Sequence, residues 1–220
     1  MRERSVGLGV MGFHSFLQKN SISLESVMSK VWNNKIFKHI QTEVDQASKK
    51  LAEERGSCPD AEEYGFKERF SNKTAIAPTA SISIICGGAS PGVEPIAANS
   101  YTHKTLSGSY NVRNKYLKKL LEKYGKNDDE TWSTITTNQG SVSHLDFLTD
   151  HEKDLFKTAF ELNQKWIIEL GSDRTPYVSQ AQSINIFLPA DVHKKELHQI
   201  HFQAWKKGLK SLYYCRSKSI

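Results

Sequence analysis

The sequence holds little cysteine, little proline and no long apolar run, and each shortage removes a class of protein. Three cysteines among 220 residues, Cys58, Cys86 and Cys215, stand at wide and irregular intervals, so neither a disulfide framework nor a zinc ribbon is expected. The longest apolar stretch, Ala75 to Gly88, is broken by Pro78 and several Ser and Thr residues. It falls short of the roughly 18 consecutive apolar residues that a membrane span needs. The first residues, Met-Arg-Glu-Arg-Ser-Val-Gly-Leu-Gly, lack the apolar core and cleavage site of a secretory signal. The expected setting is a reducing cytoplasm, away from membranes. An excess of one charge is also missing: 30 Lys+Arg face 24 Asp+Glu, a net charge of +6. The densest basic patches, Lys115/Lys118/Lys119 and Lys206/Lys207/Lys210, have the spacing of solvated helix faces. A direct nucleic-acid partner is therefore not expected. Internal repeats and low-complexity tracts are absent, which disfavours solenoids and disordered tails.

What remains is a chain with 38% hydrophobic and 25% charged residues, enough for the core of one domain or two small ones. From Leu24 to Arg55, Val27, Val31, Ile40, Val44, Ala47 and Leu51 recur near helical spacing, with Ser23 as N-cap and Gly56 as stop. This is one long helix or two. Thr74-Ala75-Ile76-Ala77 reads as a buried strand ending at Pro78, and Thr79 to Cys86 as a helix start before the Gly87–Gly92 loop. Val112, Tyr116, Leu120, Leu121 and Tyr124 predict a helix closed by Gly125. Thr149-Asp150-His151-Glu152 has the form of a capping box. The helix it opens is expected to carry Leu155, Phe156, Ala159, Phe160, Trp166, Ile167 and Leu170 and to stop at Gly171. Ser183 to Leu188 alternates like a strand, Leu197, Ile200, His201, Ala204 and Trp205 mark the inner face of another helix, and Leu212 to Cys215 closes the series as a strand. Helices alternating with short apolar strands argue for an α/β fold with mainly parallel pairing, with too few strands for a complete barrel.

Two segments could carry chemistry. Ala77-Pro78-Thr79-Ala80-Ser81-Ile82-Ser83 places small hydroxyl residues at a helix start, where free N–H groups and the helix dipole favour an anion. No Gly-Lys-Ser/Thr ends it, so it is not a Walker A loop; a plain N-cap is the alternative. Tyr213-Tyr214 is the second. In a regular strand the two rings point to opposite faces. Handing an electron and a proton from one phenol to the next instead requires contact between the rings, and so a backbone that leaves strand geometry. His193, His198 and His201 lack the partners of a zinc site and read as surface histidines. The cysteines show no adjacent base that would make a nucleophile.

In order along the chain stand Arg4-Ser5-Val6-Gly7-Leu8-Gly9-Val10-Met11-Gly12, Ala77-Pro78-Thr79-Ala80-Ser81, Val93-Glu94-Pro95, Tyr101-Thr102-His103-Lys104 and Leu106-Ser107-Gly108. Asn138-Gln139-Gly140-Ser141, Ser179-Gln180-Ala181-Gln182-Ser183-Ile184-Asn185, and the run His201 to Lys210 leading to Tyr213-Tyr214 follow. This series resembles the C-terminal part of the large (alpha) subunit of class I ribonucleotide reductase, in wording most like the T-even-type bacteriophage branch. The resemblance covers nearly all of residues 1–220. It implies part of a ten-stranded α/β barrel, with a helical region over 24–55, a phosphate-binding segment over 74–88, helices and strands over 110–210, and radical-relay tyrosines within 211–215. It implies reduction of ribonucleoside diphosphates to deoxyribonucleoside diphosphates for DNA synthesis. By the same resemblance, Pro78, Thr79, Ala80, Ser81, Ile82 and Ser83 hold the substrate diphosphate. Tyr213, the inner member, and Tyr214, the outer, relay a radical from the small (beta) subunit. Ile82 departs from members with a hydroxyl at that position, and Ser83 is the candidate to replace it.

The resemblance also implies what other polypeptide must supply. The family's radical-bearing cysteine, its reducing cysteine pair and the Asn and Glu that assist them lie upstream of the Arg4 segment, and no C-terminal cysteine pair follows Tyr214. No cofactor is expected on this chain. A di-iron centre with a tyrosyl radical is expected on the small subunit, and thioredoxin or glutaredoxin as reductant. The favoured expectation is a split large subunit, a hetero-oligomer of this chain, an N-terminal alpha chain and the small subunit, in the host cytoplasm if phage-encoded. The alternative is a non-catalytic remnant or binding module that keeps the diphosphate or docking surface.

Overall fold

The Ser26 hydroxyl accepts a 3.2 Å hydrogen bond from the Ser29 N–H and opens the longest helix of the chain. The computed structural model describes residues 2–106 and 108–217; Met1 and Ser107 of the motifs above lie outside the described residues. After α1 (Phe13–Lys19), α2 (Val27–Arg55) runs unbroken for 29 residues to a left-handed Gly56. Ser26, not Ser23, is its cap: the Ser26 backbone is extended, at φ -136° and ψ 156°, and its side chain is the one that accepts the free N–H of the first turn. The buried stripe also differs from the apolar pattern. Ser29, Asn33, Phe37, Ser48 and Ala52 face inward while Val27 and Val31 are exposed. Hydrogen bonds decide this: Asn33 donates to the Leu170 carbonyl and accepts from Arg174, both at 2.9 Å, and the Ser48 hydroxyl accepts from the Arg69 and Phe70 N–H groups. A buried polar group that keeps its partners loses little on burial.

Past α3 (Pro59–Glu63), the expected strand at 74–77 is an extended segment with isolated parallel bridges, Leu8 to Thr74 and Ile76 to Gln182. Ala75 N–H donates to the Leu8 carbonyl and Ser183 N–H to the Ile76 carbonyl. Gly9 permits the close approach, since a Cβ there would stand 2.5 Å from the Ala75 carbonyl oxygen. The short helix α4 (Ala80–Ile85) follows.

The stretch before the next helix corrects the sequence reading. Val112 belongs to an antiparallel hairpin, β1 (Ser100–Thr105) and β2 (Gly108–Arg113), in which it pairs with Tyr101. Helix α5 (Lys115–Lys123) starts after Asn114, whose side chain accepts from the Tyr116 N–H at 3.0 Å, and it ends before Gly125 as expected. Helix α6 (Asp129–Thr137), capped by Asp128, was not legible as a separate element. The Thr149–Glu152 capping box is formed and opens α7 (Asp150–Leu155). The helix expected to run on to Gly171 breaks there. Helix α8 (Gln164–Arg174) begins anew at the Asn163 cap and contains Gly171. This glycine serves packing, since a Cβ would meet Ile184 Cδ1 at 2.7 Å.

Strand β3 (Ile186–Leu188) is wholly buried between α8 and α9 (Lys194–Lys206), and it pairs in parallel with β4 (Cys215–Ser217), Ile186 opposite Cys215. The closing strand thus starts three residues later than Leu212. On α9, Ile200 and Ala204 are buried, whereas His201 is exposed and Trp205 is 74% exposed; both belong to the outer face. Three apolar clusters hold these elements: α1, α2 and α8 around Leu17, Phe37 and Leu170; α5 to α7 around Leu121, Trp132 and Phe156; and β3 with α8 and α9 around Ile168, Ile186 and Ile200. Each fully buried Leu or Ile contributes on the order of 2 kcal/mol, so the clusters fix β3 and the 74–77 segment as the frame of the site. Among the described residues no helix is long and apolar enough to cross a membrane.

Candidate active site

Ile76, buried in the first cluster, anchors the chain just before the turn at Pro78 and Thr79. Thr79 stands in the left-handed region at φ 51°, ψ 28°, a region that β-branched residues avoid. Its Oγ1 accepts the Gly92 N–H at 2.7 Å, which ties the turn to the following loop and leaves the hydroxyl proton for an outside acceptor. The first turn of α4 points its opening N–H groups outward, as every helix start does. Ala80 and Ser81 are exposed and Ile82 is 55% exposed. Ser83 does not face this mouth: it is 2% exposed, and its hydroxyl donates to the Ala80 carbonyl at 2.9 Å. It therefore cannot replace the hydroxyl absent at Ile82. Pro78 and Thr79 are half-buried and shape the turn. Beside α4 lies a mainly apolar cavity of about 440 Å³, walled by Ala80, Ile84, Ala98, Tyr101, Val112 and Tyr116.

Tyr213 and Tyr214 immediately precede β4, and their ring centroids are 4.2 Å apart at an interplanar angle of 55°. The two rings therefore do not splay to opposite faces. Tyr213 N–H donates to the Ile184 carbonyl at 2.8 Å and Ile186 N–H to the Tyr214 carbonyl at 2.9 Å. The Tyr214 N–H has a side chain as acceptor, Asn185 Oδ1, at 3.0 Å. That substitution of a side chain for a ladder carbonyl is where the backbone departs from regular strand geometry. The rings are about half exposed, 49% and 55%. A hydrogen bond with the Tyr214 side chain raises the Tyr213 pKa above the ordinary phenol value. Arg216 places its guanidinium 5.9 Å from the centre of the Tyr214 ring.

One residue quoted in the motifs received no role from the sequence. Glu94 is 8% exposed, and Asn185 Nδ2 donates to its Oε1 at 2.5 Å. Burial pushes its pKa up to about 7 against the opposing charge of Arg216. Its partner lies 91 residues away, so no local signal could have revealed the pair. Thr79, the Gly92–Glu94 segment, Asn185 and Tyr214 thereby form one connected path from the phosphate turn to the tyrosines.

The remaining candidates stay apart from this path. Cys58 is buried with its Sγ 3.4 Å from the Ser71 hydroxyl, while Cys86 and Cys215 are exposed free thiols. His193 caps α9, the Nδ1 of His201 lies 2.8 Å from the Leu197 carbonyl oxygen, and His198 stacks on Phe202. Among the described residues no group of three or more His, Cys, Asp or Glu side chains could hold a metal ion.

The family model for the ribonucleotide reductase barrel domain matches residues 1–68 and 59–215. The chain belongs to this family. It is 49% identical over its whole length to the ribonucleoside-diphosphate reductase large subunit of Invertebrate iridescent virus 6, covering 23% of that protein. It is 31% identical to the ribonucleoside-diphosphate reductase subunit alpha of Chlamydia pneumoniae, again over its full length and 25% of the relative. Its fold superposes with a TM-score of 0.92 on the class Id ribonucleotide reductase alpha subunit of Actinobacillus ureae, at 40% identity, over 99% of this chain and 40% of that one. The α/β architecture is thus that of part of the reductase barrel. The chain spans between 23% and 40% of the length of these relatives, which are viral and bacterial; none of the three is a bacteriophage protein.

Proposed function

We propose that this reductase barrel segment works within a class I large subunit that reduces ribonucleoside diphosphates. The observation that carries the reading is the 4.2 Å contact of Tyr213 and Tyr214 in a chain of this family. The diphosphate is held by the exposed N–H groups of Ala80, Ser81 and Ile82, by the Ser81 hydroxyl and by the Thr79 O–H proton. Tyr214 gives one electron and its phenolic proton towards the radical-generating small subunit. Tyr213 restores it by passing on a hydrogen atom, and then takes one from a cysteine thiol of the N-terminal part of the large subunit, leaving a thiyl radical. The substrate's 2′-hydroxyl departs as water and is replaced by hydrogen. A cysteine pair supplies the two electrons by closing to a disulfide, which thioredoxin or glutaredoxin reopens. The radical-generating metal, a di-iron centre, belongs to the small subunit in this reading. Placement in a phage-type split subunit in the host cytoplasm belongs to the same proposal.

The test is capture of the chain from its native source, with mass spectrometry of what comes with it and an assay of ribonucleoside-diphosphate reduction. Recovery of cysteine-bearing alpha sequence and a small subunit, with turnover, supports the proposal, and the mass of the polypeptide carrying residues 1–220 decides between one chain and a split subunit. An inactive chain recovered alone refutes it in favour of the binding-module alternative.

A further inference from the structure

Asn185 is buried at the entry to β3, and both ends of its amide are committed: Nδ2 to Glu94 and Oδ1 to the Tyr214 N–H. A side-chain amide offers donors at one end and an acceptor at the other. An ionised carboxylate only accepts, so Glu94 obliges Asn185 to turn its NH₂ group inward. That orientation leaves Oδ1, and not a second donor, facing the Tyr214 amide. The reverse orientation sets donor against donor at Tyr214 and acceptor against acceptor at Glu94. Arg216 completes the arrangement: its charge acts on Glu94 and on Tyr213, and its guanidinium stands beside the Tyr214 ring.

We infer that Glu94 is a positioning residue for the tyrosine pair, acting through the Asn185 amide to fix the backbone at Tyr214 and opposite Arg216 to hold charge beside its ring. This rests on the relay reading above. Glu94 acts here through the Asn185 amide, and by that route it sets where the outer phenol stands. The bond to Asn185 is charge-assisted when Glu94 is ionised, and such bonds are roughly twice as strong as neutral ones. Arg216 is the charged group whose field reaches this carboxyl. Burial holds the Glu94 pKa at about 7. Burial outweighs that gain, so the clamp opens more readily as pH rises through neutrality, when the carboxyl is left ionised.

The experiment compares Glu94→Ala and Glu94→Gln in the assembled reductase. Glutamine keeps an acceptor for Asn185 and alanine does not. The expected result is a loss of about tenfold or more in kcat for alanine, with KM for the diphosphate substrate unchanged. Rescue by glutamine is expected to bring kcat back to within about threefold of wild type and to flatten its kcat–pH profile near neutrality. Should the alanine variant fail to assemble, hydrogen exchange at the Tyr214 amide of the unsubstituted enzyme answers the same question. Its protection, corrected for intrinsic exchange, is expected to fall as pH rises from about 6 to about 8, because opening the site lets the buried carboxyl ionise. Unchanged kcat in Glu94→Ala, or protection that is flat with pH, overturns the inference. Tyr214→Phe in the same assay separates the two readings. An inactive Tyr214→Phe beside an unaffected Glu94→Ala removes the clamp alone, while a fully active Tyr214→Phe removes the relay itself.

Discussion

Thr79 receives the Gly92 N–H on its side-chain oxygen at 2.7 Å, while its own backbone occupies the left-handed region. The bond holds a strained turn in place and so presents the start of α4 to solvent. Thr79→Ala removes the acceptor and leaves the Gly92 N–H without it, a loss of about 1 kcal/mol in stability. It also relaxes the turn, so KM for the diphosphate substrate is expected to rise severalfold. Thr79→Ser keeps the oxygen and is expected to stay near wild type in both measurements, denaturant midpoint and KM. An alanine variant with unaltered KM would remove Thr79 from the binding turn.

His14 gives a stability signature in pH. It is fully buried, its Nδ1 accepts the Ile96 N–H at 2.9 Å, and burial pushes its pKa down to about 4. The unfolded chain takes up this proton at its ordinary pKa of about 6.5, whereas the folded chain refuses it. The contribution is therefore complete above pH 6.5 and drains away as pH falls towards 4, by up to about 3 kcal/mol. His14→Asn keeps an acceptor for Ile96 and has nothing to titrate. Urea midpoints for the two proteins are expected to converge as pH falls from neutrality. The comparison must be between variants, because Glu94, with a pKa raised to about 7, pulls the other way: its contribution is full at low pH and fades as pH rises through 7. Parallel midpoint curves would show that His14 takes up its proton as readily in the fold as in the unfolded chain.

Gly140 has φ +82°, and a Cβ there would come within 2.4 Å of the Ala98 Cβ, on the wall of the cavity beside α4. Its carbonyl also receives the Asn99 backbone N–H and the Asn99 side chain, so the chain has no room to retreat. Gly65, with φ +75° and nothing within 4 Å of a Cβ, is the natural control. Gly65→Ala is expected to lose only the backbone strain, about 1 kcal/mol, and Gly140→Ala at least about 2 kcal/mol more. Equal losses in thermal or urea unfolding would mean that the 96–99 segment yields.

The parts of this fold that were legible are those whose cause is local. The Thr149 capping box and the Gly56 and Gly125 stops depend on residues within one turn, and each stands where the sequence puts it. The errors fall where a distant partner decides. Ser48 turns inward because Arg69 and Phe70 donate to it, Val112 leaves its helix to pair with Tyr101, and Gly171 is small on account of Ile184. The same division holds at the site. The hydroxyl-rich turn was visible, but the inward direction of Ser83 follows from its bond to Ala80 and the packing behind it. Glu94 was quoted in a motif, but its meaning depends on Asn185 across 91 residues.

The tyrosine pair supports the most direct test of chemistry, because a single oxygen distinguishes the side chains compared. Tyr213→Phe and Tyr214→Phe keep the ring, and with it most of the contact at 4.2 Å, but lose the phenol that can release an electron and a proton together. Neither ring is more than about half buried, and exposed hydroxyl deletions usually change stability by less than about 0.5 kcal/mol. The thermal midpoint and diphosphate binding are therefore expected to stay near wild type in both variants, while turnover of the assembled reductase falls to background. The raised Tyr213 pKa adds a second reading. Because its largest cause is the hydrogen bond with Tyr214, Tyr214→Phe is expected to lower the titration midpoint of Tyr213, followed by ultraviolet difference absorption of the phenolate. Residual turnover in either variant would mean that electrons reach the active site by a path that does not pass through these phenols.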